Sequence, residues 1–120
     1  MLRSPEVLKE LGLEIDRLRR LYAPTRRELP DAQEALASWA AEVNGLCWLL
    51  PLADVIETDI DVEILREVMI VRASRTWPDP VVLVSILPVP YEFDPTNVII
   101  RFMDETLTIR VRWVPGRATS

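Results

Sequence analysis

Asp59-x-Asp61-x-Glu63 places three carboxylates at alternate positions, with Asp54 and Glu57 just upstream. On an extended strand, alternate residues share one face at about 6.5–7 Å. Carboxylates at that spacing are the raw material for a hard-cation site or an acid–base pair. Side chains on one strand face point in parallel rather than converging, however, and no glycine-rich ligand loop follows them. The trio therefore reads as a solvated strand face, and an enzyme built on this chain would have to rest on it alone. The chain contains no histidine and one cysteine, Cys47. This removes the Ser-His-Asp triad, the Cys-His pair, histidine-bearing metal sites and any intramolecular disulfide. Cys47 stands between Leu46 and Trp48 and reads as a small core residue. Gly12, Gly45 and Gly116 lie too far apart to form a phosphate-binding loop. Arg101, Arg110 and Arg112 are interleaved with Phe102 and Trp113, a pattern that can bind single-stranded nucleic acid. The net charge of −5 opposes that use, and cross-strand pairing with Asp59, Asp61 and Glu63 is the expectation instead. No catalytic residue, metal ligand or cofactor site is expected.

The elements that carry these residues fall into two groups. Ser4 reads as an N-cap, with Pro5 at the first helical position and Glu6 in the first turn. Leu8, Leu11, Ile15, Leu18 and Tyr22 then recur at helical spacing. Around them charge runs from acidic (Glu6, Glu10, Glu14) to basic (Arg17, Arg19, Arg20), as the helix dipole favours, and Pro24 ends the helix. A second helix is expected from Asp31, with Glu34 completing a capping box. Leu36, Trp39, Val43, Leu46 and Leu50 repeat the helical spacing. Asn44-Gly45 interrupts that stripe as a stop signal, so the helix ends there or at Pro51.

From Asp54 onward the period shortens towards two. Ile60, Val62 and Ile64 alternate with acids as a half-buried strand does, and Val68 to Val71 continues in strand character. Trp77-Pro78-Asp79-Pro80 is a turn. Val81 to Leu87 is nearly all apolar and reads as a strand buried on both faces. Val98 to Met103 is another strand, turned back at Asp104-Glu105. In Thr106 to Trp113, Leu107, Ile109, Val111 and Trp113 face inward while Thr108, Arg110 and Arg112 face outward. Pro115-Gly116 ends it. The expectation is an α+β chain in which an N-terminal pair of amphipathic helices (1–50) precedes an antiparallel β-sandwich of about five strands (51–115) and a tail (116–120).

One domain and one core fit 120 residues with a hydrophobic fraction of 49%. Residues 31 to 70 hold nine acids and a single base, Arg66, whereas residues 1 to 30 hold seven bases and five acids. The N-terminal residues lack a basic-then-apolar signal pattern and no apolar run approaches membrane-spanning length, so a cytoplasmic protein without membrane or nucleic-acid partners is expected.

Pro51-Leu-Ala-Asp54-Val55-Ile-Glu57-Thr58-Asp59, with Trp48 just upstream, resembles the opening of the α-crystallin domain of small heat-shock proteins. Ile86-Leu87-Pro88-Val89-Pro90, then Asp94-Pro95 and Val98, is similar to that family's Leu-Pro, hydrophobic-Asp and valine passage. Ile100 to Leu107 stands where the family carries its Ala-x-x-x-Asn-Gly-Val-Leu signature, and Leu107-Thr108-Ile109 matches its end. The resemblance covers about residues 48–114. Ile100, Asp104 and Glu105 replace the signature alanine, asparagine and glycine, so the tight turn is expected to need a different backbone solution. The middle is shorter than in the family by more than twenty residues, in the region where many relatives exchange a strand. The tail lacks the Ile-x-Ile motif that relatives insert into a neighbour. In an alternative register, Ile60 to Arg75 matches the family's fourth and fifth strands.

The resemblance implies a non-enzymatic, ATP-independent holding chaperone of the stress response, a homo-oligomer that binds partly unfolded clients through apolar surface. The alternative is an interaction or assembly subunit that keeps the fold and binds one specific protein partner. The expected contact residues are Leu8, Leu11, Ile15, Leu18, Leu36, Trp39 and Val43 on the helical stripes and Ile86, Leu87 and Val89 on an edge strand.

Overall fold

A computed structural model of the chain describes residues 5–22, 33–89 and 93–114. The readings placed on Ser4, Pro24, Asp31, Pro90 and the tail from Pro115 lie outside them. One helix, α1 (Pro5–Tyr22), is followed by eight strands: β1 (Gln33–Glu34), β2 (Ser38–Glu42), β3 (Gly45–Pro51), β4 (Ile60–Ile64), β5 (Val68–Arg75), β6 (Val81–Pro88), β7 (Ile99–Met103) and β8 (Thr106–Arg112). They form two four-stranded sheets with orders β1-β6-β5-β4 and β2-β3-β8-β7. All pairings are antiparallel except that of β1 with β6.

The expected second helix and the count of five strands are both corrected here. Residues 33–51, whose stripe fits helical spacing, form β1, β2 and β3. The stripe is ambiguous because Leu46 to Leu50 is continuously apolar and satisfies a central strand equally well. Asn44-Gly45, read as a helix stop, belongs to the β2–β3 hairpin, in which Glu42 pairs with Gly45. Glycine is required there by space: a Cβ on Gly45 would lie 1.9 Å from the Val111 carbonyl oxygen. β3 then pairs with β8 along its whole length, so partners some sixty residues away in sequence decide its conformation.

The inner faces of the sheets make the core. Leu46, Trp48 and Leu50 on β3 meet Leu107, Ile109 and Val111 on β8, and Met69, Val71 and Ala73 on β5 oppose them. The alternation read for Thr106 to Trp113 holds, with Leu107, Ile109, Val111 and Trp113 buried. β6 is buried from Leu83 to Pro88 on both faces, as its apolar run requires. Trp48 is fully buried, and its indole Nε1 donates to the Pro88 carbonyl oxygen at 3.2 Å, tying one sheet to the other.

Strand direction across the sandwich follows from its closures. Val89 just follows β6, and four residues later Phe93 bridges Trp113 beyond the end of β8. Trp113 N–H donates to the Asn44 carbonyl in the β2–β3 turn. The ends of β4, β6 and β8 and the start of β7 therefore lie at one end of the molecule. The Asp104-Glu105 turn lies at the other, where Leu52 N–H donates to the Glu105 carbonyl. β4 and β7 run in opposite directions.

The Asp104-Glu105 turn corrects a second expectation. It keeps the left-handed backbone that a glycine would favour, with φ of 51° at Asp104 and 59° at Glu105. Met103 pairs with Thr106, so these two residues alone form the hairpin loop, a geometry that needs positive φ at both central positions.

Candidate functional site

The two long sides of the sandwich differ. On one side β1 leads into β2 through three residues, Ala35 to Ala37, and α1 packs against β6. Leu11 and Ile15 enter the main core, Leu18 is also buried, and Gly12 faces the Trp39 ring, with 3.5 Å between an added Cβ and Cζ2. Arg19 fixes the helix: it donates to the Ala37 carbonyl at 3.0 Å, and its guanidinium carbon stands 5.2 Å from the centre of the Trp48 ring. A helix with one apolar face thus seals this flank. On the exposed face of α1, Arg17 bonds Glu14 at 2.9 Å and lowers the Glu14 carboxyl below its ordinary range.

The opposite side, bounded by the edge strands β4 and β7, has no helix over it among the described residues. Alternation turns Ile60, Val62 and Ile64 of β4 and Ile100 and Phe102 of β7 towards the core, as is Val98 just before β7, yet all remain partly accessible. Ile99, Ile100 and Met103 are 47, 46 and 58% exposed. Among the described residues, both strands leave one row of backbone donors and acceptors without a partner strand, and β7 carries only one charge, Arg101, to guard its edge. This long apolar side is the candidate interaction surface.

The ionisable residues singled out in the sequence do not converge. Asp59 ends a short 3-10 turn, while Asp61 and Glu63 lie on the outer face of β4. Their partner is Arg72 on β5, at 2.9 Å from Glu63 and 4.0 Å from Asp61. The expected pairing with Arg101, Arg110 and Arg112 does not occur, because those residues lie on the other sheet, where Arg110 pairs with Glu42 at 3.3 Å. Among the described residues, no three acidic or cysteine side chains are gathered to hold a metal ion. Cys47 is buried beside Arg110. Burial, and next the nearby Glu42 carboxylate, push its thiol up, away from the reactive thiolate. A shallow notch of about 330 Å³ opens where the β2–β3 turn meets Asn97, lined by Asn44, Arg110 and Arg112 among others.

Of the residues expected to make protein contacts, Leu8, Leu36 and Val43 are exposed and Trp39 is half-buried. Leu11, Ile15, Leu18, Ile86, Leu87 and Val89 are buried. The sequence reading missed the β7 side, because Ile99 and Ile100 look like ordinary strand residues until β7 is known to be an edge.

No family model matches the sequence, and no curated sequence is similar to it. Solved structures are similar over about two thirds or more of the chain. Heat shock protein 16.0 from Schizosaccharomyces pombe superimposes with a TM-score of 0.66 at 11% identity, covering 88% of this chain and 89% of that one. HSP18.5 from E. histolytica gives a TM-score of 0.64 at 9% identity, covering 71% and 92%. A small heat-shock protein from Xylella fastidiosa gives 0.57 at 12% identity, covering 66% and 84%. The chain has the α-crystallin-type sandwich fold of small heat-shock proteins. At such identities the likeness is one of fold. Among the described residues, no helix is long and apolar enough to cross a membrane.

Proposed function

We propose that this protein is an ATP-independent holding chaperone that binds partly unfolded clients on apolar surface, without catalysis. The observation that carries this reading is the open side of the sandwich. There Ile100 stands exposed on the same face of β7 as Phe102, towards the apolar face of β4, with Ile99 and Met103 exposed on the outer face of β7, next to two strand edges that have no partner strand among the described residues. An extended client segment can add main-chain hydrogen bonds to such an edge and bury alternate side chains in the apolar seam. Leu8 and Leu36 are exposed on the opposite flank, where the buried Leu11, Ile15 and Leu18 would become accessible only if α1 lifted away.

The test is suppression of aggregation of an unrelated heat-denatured enzyme at near-stoichiometric ratio, followed by light scattering. Ile100→Asp is expected to weaken suppression while leaving the fold intact by circular dichroism. Absence of suppression by the unaltered chain at large excess refutes the reading. A second reading, an assembly subunit with one dedicated partner, is favoured by the short β5–β6 connection (residues 76–80) and by the docked helix. Both features reduce the surface offered to varied clients. Selective binding of a single protein, without suppression, would support it.

A further inference from the structure

We propose that the notch at the end of the β2-β3-β8-β7 sheet binds the phosphate monoester of a small organic molecule. The outer face of that sheet is basic in a chain whose net charge is −5: it carries Arg101, Arg110 and Arg112 against one acid, Glu42. On the outer face of the other sheet the balance is reversed, with Asp61 and Glu63 around Arg72. Phe102 and Trp113 turn inward, so the basic face offers no aromatic platform on which nucleic-acid bases could stack. A compact anion is the ligand this face can take.

Strand register gathers the donors. Arg110 and Arg112 are alternate residues of β8, so they share its outer face at about 6.5–7 Å along the strand. Gly45 of β3 is opposite Arg112, with Glu42 of β2 beyond it, and the missing side chain leaves a gap between the two charges. The notch of about 330 Å³ opens there. Asn44 and Asn97 bring amide groups to its rim, and main-chain bonds fix where they stand. The Asn44 carbonyl accepts from Trp113 N–H at 2.8 Å, and Asn97 N–H donates to the Asp94 carbonyl at 3.0 Å. Glu42 partly neutralises Arg110 at 3.3 Å, whereas Arg112 makes no ion pair among the described residues. The notch thus keeps a positive charge that its own residues leave unanswered. A phosphate monoester carries close to two negative charges and several acceptor oxygens, enough to engage both guanidinium forks and the amides together. A carboxylate, with a single charge and fewer oxygens, saturates one fork. Exposed Val43 and Ile99 add apolar wall beside these donors for the organic part of the ligand. The volume stands at the lower end of small-molecule sites, which sets the size of that part.

The site is independent of client binding, and its readout is ligand titration rather than suppression of aggregation. The full chain, labelled with ¹⁵N, is titrated with phenyl phosphate at low salt and followed by two-dimensional NMR. The Gly45 N–H and the side-chain amides of Asn44 and Asn97 are expected to shift and saturate with a Kd on the order of a millimolar. Benzoate, which keeps the ring but carries a carboxylate, and inorganic phosphate, which lacks the ring, are each expected to bind several-fold more weakly. Arg112→Gln is expected to raise the Kd roughly five- to tenfold. Glu42→Gln is expected to lower it roughly threefold by removing the competing acid. Arg101→Gln, on the same sheet face but outside the notch, is expected to leave it unchanged. The same spectra report whether each variant is folded, and Arg112→Lys, which keeps the charge and loses the fork, replaces Arg112→Gln if that chain does not fold. Shifts that fail to saturate or that lie away from the notch overturn the proposal. So does benzoate or inorganic phosphate binding as tightly as phenyl phosphate, or Arg101→Gln weakening binding as much as the Arg112 variant.

Discussion

Replacing Glu105 with glycine should stabilise this protein, although it removes a side chain that accepts a hydrogen bond. Glu105 holds φ at 59°, where a Cβ crowds the backbone at a cost of about 1–2 kcal/mol. Glycine removes that cost. Its greater freedom in the unfolded chain takes back about 0.4–1 kcal/mol. The side-chain bond that disappears is slight: the Asp54 N–H reaches Glu105 Oε1 at 3.5 Å in an exposed setting. The stronger link, from Leu52 N–H to the Glu105 carbonyl at 2.8 Å, belongs to the backbone and survives. The balance is a gain of about 0.5–1 kcal/mol, or roughly 2–5 °C in Tm for a domain of this size. Urea denaturation read by tryptophan fluorescence, with an unchanged m-value, measures it. Glu105→Ala is the control: it removes the same bond but keeps the Cβ, so it should show no gain. A Glu105→Gly variant no more stable than Glu105→Ala would refute the claim that the turn stores backbone strain.

Gly45→Ala should destabilise by at least ~2 kcal/mol, since the Cβ would collide with the Val111 carbonyl, which belongs to the β3–β8 backbone and cannot swing aside. Thermal melts of the full chain measure this. Trp48→Phe should cost about 1–3 kcal/mol, because the bond from Nε1 to the Pro88 carbonyl disappears and part of a fully buried ring is left unfilled. Chemical denaturation reads that change. The Asp94 carboxylate accepts bonds from the Thr96 hydroxyl at 2.7 Å and the Thr96 N–H at 2.9 Å, which hold its carboxyl below the ordinary aspartate range. Its contribution is therefore present above the ordinary aspartate value and is lost as the pH falls through the lowered one. Asp94→Asn should flatten the acid limb of a stability–pH curve, and an unchanged limb would contradict this assignment.

Much of the fold is legible in the sequence because burial writes itself into alternation. Thr106 to Trp113 shows which side of its strand faces the core, Val81 to Leu87 announces a strand covered on both faces, and the stripe from Leu8 to Leu18 announces an amphipathic helix. Residues 33–51 mislead because Leu36, Trp39, Val43, Leu46 and Leu50 fit a helical period while Leu46 to Leu50 also fit a buried strand. That choice is made by β8, whose ladder supplies the hydrogen bonds of β3. The interaction surface is legible only in part. An exposed leucine on a helix can be inferred from periodicity, but nothing local marks Ile99 and Ile100 as edge residues.

Composition and short motifs are enough to establish the absence of histidine chemistry, the single thiol, the acidic balance and the resemblance to the α-crystallin domain. None of these needs a neighbour in space. It takes the packed molecule to show that α1 seals one flank, that β4 and β7 leave the other open, and that Asp61 and Arg101 stand on the two edges of that opening. Sheet order and strand direction come from pairings between distant segments. Local periodicity reports which side of a strand is apolar, but not which strand lies beside it.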